Sequence, residues 1–205
     1  MDTMIAFDME PDVRMMDLVA VPYVAAMGVV RCLRERGLGS LVGIGWPHDV
    51  VAWTDPSGPG AGPARELVGI SVHARSRDGV LVASVEASLS EGILSEVVSA
   101  AGVDGALLGD LGRDVRSSIE AEVERWAGSL RGRVVPGPLA PVLSEYFDMV
   151  PLLGHRVAAL SPNGIPVAMG FFRAIDVWGR ATILTDQGER EFPAEAVRIV
   201  PLPTD

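Results

Sequence analysis

Apolar positions change their period several times along the chain. Met4 to Met9 reads as a short strand, ended by Glu10-Pro11-Asp12. From Met15 to Arg36, "MMDLVAVPYVAAMGVVRCLRER" predicts a long, mostly buried helix. Its charges Arg31, Arg34 and Arg36 gather at the C-terminal end, where cations complement the macrodipole, and Gly37 supplies the stop. Pro22 belongs near a first turn or at a break between two shorter helices. The longest apolar run, Leu18 to Val30, is interrupted by Pro22, Tyr23 and Gly28 and is expected to be too short to span a membrane.

Short strands follow at Leu41 to Ile44 and Val50 to Trp53, then a Gly/Pro-rich loop from Thr54 to Arg65. Leu67 to Ala74 and Val80 to Leu89 predict a hairpin turning at Arg77-Asp78-Gly79. Glu91 to Ala101 reads as a weakly defined helix. A stronger one runs from about Leu107 to Leu130, with Val115, Ile119, Val123 and Trp126 on one face. Glu120, Glu122 and Glu124 are expected on a solvated flank of it. A short helix near Val142 precedes a region of short strands from Gly154 to Leu202, with turns at Asn163-Gly164 and Gln187-Gly188. The expected fold class is α+β: a mixed sheet with helices over residues 1–152, then a small β-barrel over residues 153–205.

Charge narrows the function classes. The net charge of -10 argues against binding nucleic acid or an anionic membrane. All 17 basic residues are arginines. The absence of lysine removes Schiff-base chemistry and phosphate-loop lysines. The single Cys32 reads as a small buried hydrophobe, permits no intramolecular disulfide and fits a reducing cytoplasm. The acidic N-terminus has no positively charged leader, so no signal peptide is expected. His48, His73 and His155 lack the spacing of a metal pair, so no metal site is expected; nor is there a Gly-x-Ser-x-Gly elbow.

The stretch "LVGIGWPHDVV" concentrates the candidate chemistry in Trp46-Pro47-His48-Asp49. Placed after a helix and strand and before a glycine-rich loop, it resembles the Lys-Trp-Pro-Asn-Asp motif of biotin protein ligases. The C-terminal region resembles that family's SH3-like domain, through Gly170, Ile175-Asp176, Gly179 and Ile183-Leu184. The resemblance runs from about Met4 to Leu202. It implies biotin and ATP, with Mg, as ligands and a lysine on a biotin carrier domain as acceptor. It also marks Trp46, Pro47, His48, Asp49 and Gly69 as ligand-binding positions, and Gly170, Asp176 and Gly179 as the C-terminal domain's motif.

The chain departs from that pattern where the family does its chemistry. Gly45 stands where the motif has lysine, and Glu66 of "ELVGI" replaces a second lysine. "VASVEASL" lacks the family's Gly-Ile-Asn, and His48 replaces the motif's Asn. The family's Gly-Arg-Gly-Arg loop is not found in Met1 to Ala6, so a partner chain is expected to carry that N-terminal segment. Losing one charge-stabilising donor costs about two to three orders of magnitude in rate, so little adenylation is expected from this chain alone. No catalytic residue is assigned. The alternatives are a pseudo-ligase acting as an interaction or homodimer scaffold, and an active ligase using arginines such as Arg65. Trp46-Pro47 also suits a structural wedge at a strand end, and Asp49 a turn-former.

Overall fold

The computed structural model describes residues 2–59 and 63–202, and only the backbone of residues 107 and 108. Five strands, β1 (Asp2–Met9), β2 (Val42–Gly45), β3 (Asp49–Ala52), β4 (Arg65–Arg77) and β5 (Val80–Ser90), form an antiparallel sheet in the order β1-β5-β4-β3-β2. β4 and β5 pair from Val68 opposite Leu89 to Arg77 opposite Val80. Their turn places Asp78 at φ 53° and Gly79 at φ 82°, the left-handed pair a two-residue hairpin connection requires.

The two faces of this sheet differ because side chains alternate along each strand. Phe7, Ile70, Val85 and Ala87 are buried on one face, beneath α1 (Val21–Leu33) and α3 (Leu111–Leu130), while α2 (Glu91–Ala101) flanks them. The α1–α3 contact is close. A Cβ on Gly28 would lie 2.9 Å from Ile119 Cα, and Ser118 Oγ donates to Gly28 O at 2.8 Å. The opposite face carries Asp8, Ser71, His73, Ser84 and Glu86, and it is largely open to solvent.

Two expectations are corrected here. Neither concerns Pro22, which takes the first of its two expected placements: a 3-10 turn (Met15–Ala20) leads into α1, where Pro22 occupies the first turn and its missing N–H is no loss. A π turn (Arg34–Leu38) extends it to Gly37, at φ 91°. The helical run Met15–Leu41 is thus long and apolar enough to cross a membrane, contrary to the reading of Leu18 to Val30; yet 78% of its window is buried inside the protein, as a core helix. The second correction concerns Glu122, which is not on a solvated flank. It is 4% exposed and ion-paired with Arg31 (Nε–Oε2 3.2 Å) and with Arg125, because its face of α3 turns toward α1.

After α4 (Leu143–Phe147), strands β6 (Arg156–Leu160), β7 (Pro166–Ile175), β8 (Ala181–Thr185), β9 (Gly188–Phe192) and β10 (Arg198–Pro201) form a second antiparallel sheet, ordered β10-β6-β7-β8-β9. The molecule is thus a mixed α and β structure with two antiparallel sheets. Trp46, just past β2, meets Phe172 of β7 edge-on, with ring centroids 6.4 Å apart, so one core continues through both sheets.

Candidate functional site

The loop between β2 and β3 sends its side chains three ways. Trp46 goes into the seam between the sheets. It is 3% exposed, and its Nε1–H donates to Gly179 O at 2.9 Å. Tyr23 O–H donates to the same carbonyl at 3.3 Å. Gly179 is required on two grounds: its φ is 85°, and a Cβ there would lie 2.4 Å from the Tyr23 ring. Asp176 shapes the turn that presents this carbonyl. Its carboxylate accepts from the backbone N–H of Trp178 and Arg180, both at 2.9 Å, and from Arg180 Nε at 2.7 Å. Gly170 lies apart from this junction, where a Cβ would fall 2.1 Å from Leu184 O. Pro47, joined to Trp46 by a cis peptide, accepts a hydrogen bond at its carbonyl from Tyr146 O–H at 2.5 Å.

His48 turns toward the helix-covered side. Its ring stands edge-on to Tyr23 with centroids 5.9 Å apart, at the floor of a cleft. Burial pushes the imidazole pKa down, which keeps the ring neutral near pH 7. Its Nδ1 is buried, without a hydrogen-bond partner among the described residues. Asp49 Oδ1 is 4.0 Å from that nitrogen, too far for a hydrogen bond, so the two neighbours do not form a dyad.

Asp49 opens β3 opposite Gly45 and stands toward the open face. Burial raises its carboxyl pKa, and Arg198 partly opposes the rise. The Glu66 carboxyl is raised first by burial and then by Asp49, again with Arg198 opposing. Gly69 lies beside Glu66: a Cβ on Gly69 would be 2.8 Å from Glu66 Oε1. Further along the face, Glu86 pairs across the hairpin with Ser71. Asp49, Glu66 and Gly69 are therefore brought together, Trp46 and Gly179 are brought together elsewhere, and His48 belongs to neither group. Arg65 is engaged by Glu96 in an ion pair. His73 and His155 lie away from His48, and among the described residues no three His, Cys, Asp or Glu side chains are grouped to hold a metal ion. Cys32 is buried and free.

Several contributors were not singled out in the sequence. Tyr23 and Tyr146 support the loop through hydrogen bonds to residues 156 and 99 positions away, and no local pattern announces such contacts. Glu86 had a signal: Ser84, Glu86 and Ser88 repeat a polar residue at every second position of a strand.

No family profile and no curated protein sequence matches the chain. Its fold is similar to that of solved biotin protein ligases. The apo enzyme from Aquifex aeolicus aligns with a TM-score of 0.63 at 16% identity, covering 98% of this chain and 83% of that one. The Aquifex aeolicus enzyme in complex with biotin and ATP aligns with a TM-score of 0.62 at 16% identity, covering 97% and 78%. The chain therefore has a biotin protein ligase-like fold.

Proposed function

We propose that this chain is a biotin protein ligase-like protein that keeps an acyl-ligand face but does not adenylate biotin by itself, and that a partner chain completes its site. The observation that carries this reading is the charge of the open face. Asp49, Glu66 and Glu86 stand on it in a chain without lysine, and Glu66 lies directly beside Gly69. ATP, which the similar Aquifex structure holds together with biotin, does not fit such a lining, because its phosphates carry the same charge as these carboxylates and like charges repel in a partly desolvated site. Arg198 is the cation whose field reaches both Asp49 and Glu66 there, and it opposes two carboxylates.

The end position of β1 supports a partner. Its described residues pair with β5 on one side, which leaves the other edge available for a strand from another chain. Within this reading, residues 1–152 form the ligase-like catalytic domain and residues 153–205 an SH3-like module. Calorimetric titration with biotin, with ATP and with a non-hydrolysable biotinyl-adenylate analogue tests it. Heat with biotin or the analogue, and none with ATP alone, is expected. Tight ATP binding by the chain alone would contradict it.

The burial of Trp46 favours a second reading, a non-enzymatic scaffold. The side chain that would line a ligand pocket in the family is here occupied in joining the two sheets. Sedimentation separates the readings: a stable homodimer with no heat from any of the three ligands supports the scaffold.

A further inference from the structure

The cleft with His48 at its floor, of ≈ 510 Å³, lies on the side of the sheet opposite the Asp49–Glu66–Gly69 group. Val72 and Ala74 of β4 line it, and these alternate with Ser71 and His73 of the open face, so sheet pleating alone puts the two regions on opposite sides. Met15, Leu18, Val19 and Pro22 form one wall, and Trp178, Pro193 and Ala194 from the second sheet form the other. A volume of this size falls within the range of small-molecule sites.

The apolar lining is incomplete in a particular way. Met15, Val19 and Trp178 remain exposed, although Trp178 belongs to a turn that Asp176 fixes through three hydrogen bonds. At the rim stand Arg180 and Glu195. Arg180 is already neutralised by Asp176 (2.6 Å) and Glu191 (3.3 Å), whereas Glu195 makes no ion pair among the described residues. The immediate charge is thus one cation against three carboxylates. His48, on the floor, is neutral and adds no opposing charge.

We propose that this cleft binds a small organic cation: an apolar body seated against Met15, Val19 and Val72, with a positively charged ammonium between the Trp178 ring and the Glu195 carboxylate. An aromatic face and an unpaired carboxylate at the mouth of an apolar cleft are the two features that recognise alkylated ammonium groups. The excess of 27 acidic over 17 basic residues strengthens the attraction at longer range. This inference does not rest on the ligase-like reading, since the residues proposed to touch the ligand lie outside the family-matched positions, and His48 and Asp176 enter only through their charge and geometry in this chain.

Of the four tryptophans, Trp46, Trp53 and Trp126 are at most 3% exposed, while Trp178 is 37% exposed. Ligand-induced change in tryptophan emission therefore reports on the cleft. The probes are hexyltrimethylammonium, hexanol and hexanoate, each titrated into the full chain by fluorescence and by calorimetry. Saturable binding in the order ammonium, alcohol, carboxylate is expected. Glu195→Gln, an exposed substitution, should weaken ammonium binding about threefold and leave hexanol unchanged. Trp178→Phe should abolish the emission change and weaken the calorimetric affinity for the ammonium. Hexanoate binding as well as the ammonium, absence of saturable ammonium binding, or an ammonium affinity indifferent to Glu195→Gln would each overturn the proposal.

Discussion

Trp46 donates its indole N–H to the carbonyl of Gly179 across 2.9 Å, and this bond ties the loop after β2 to the β7–β8 turn of the second sheet. Two motifs separated by 133 residues thereby become parts of one junction. Trp46→Phe should keep most of the packing against Phe172 and lose the donor. Gly179 O would retain Tyr23 O–H, so a loss of about 1 kcal/mol is expected. Gly179→Ala forces a Cβ into the Tyr23 ring at a positive φ and should cost about 2–4 kcal/mol. Urea denaturation of the two variants reads the difference.

The buried Glu122 gives a test of the α1–α3 contact. Glu122→Gln leaves Arg31 and Arg125 with Glu145 as their remaining carboxylate partner, at 2.6 and 3.0 Å. A loss of about 1–3 kcal/mol is expected in denaturant midpoint experiments. Glu120→Gln, on the exposed side, should be close to neutral.

Opposite signs are expected from two neighbouring residues as pH falls. His48 has a folded pKa below its unfolded value of 6.5, so acidification protonates the unfolded state first. Its contribution to stability is present above pH 6.5 and is lost as pH falls from there toward the folded pKa. Asp49 has a folded pKa above its unfolded 3.8, so its ionisation disfavours the fold at neutral pH and the penalty fades as pH falls through the folded pKa. His48→Gln should flatten the stability profile just below pH 6.5, and Asp49→Asn should raise stability at pH 7. Thermal melts from pH 4 to 8 check both.

Charge on the open face sets nucleotide binding. Glu66→Lys replaces the carboxylate beside Gly69 with an ammonium and should raise ATP affinity about tenfold, an effect that weakens with added salt. Equilibrium dialysis with labelled ATP measures it. Gly45→Lys is the harder reversal, because a Cβ there would lie 2.8 Å from Val51 Cγ1.

Much of the fold was legible because its signals are local. The α2 boundaries, the Asp78-Gly79 turn and the buried stripe Val115, Ile119, Val123 and Trp126 follow from period and turn chemistry. The burial of Glu122 depends on Arg31 of α1 as well as on Arg125 three residues along α3, and sequence spacing on α3 contains only the second of these partners. The site was legible as a location and less so as an arrangement. Trp46, His48 and Asp49 are nearly adjacent in sequence, yet strand alternation and the seam between the sheets send them to three separate environments.

Biotin-dependent pyrophosphate release from ATP and Mg tests the proposed function most directly. The chain alone, with glutamate at position 66 and no lysine, is predicted to release no more pyrophosphate with biotin than without it. Release that rises and saturates with biotin concentration would contradict that reading and make this chain an adenylating enzyme in its own right.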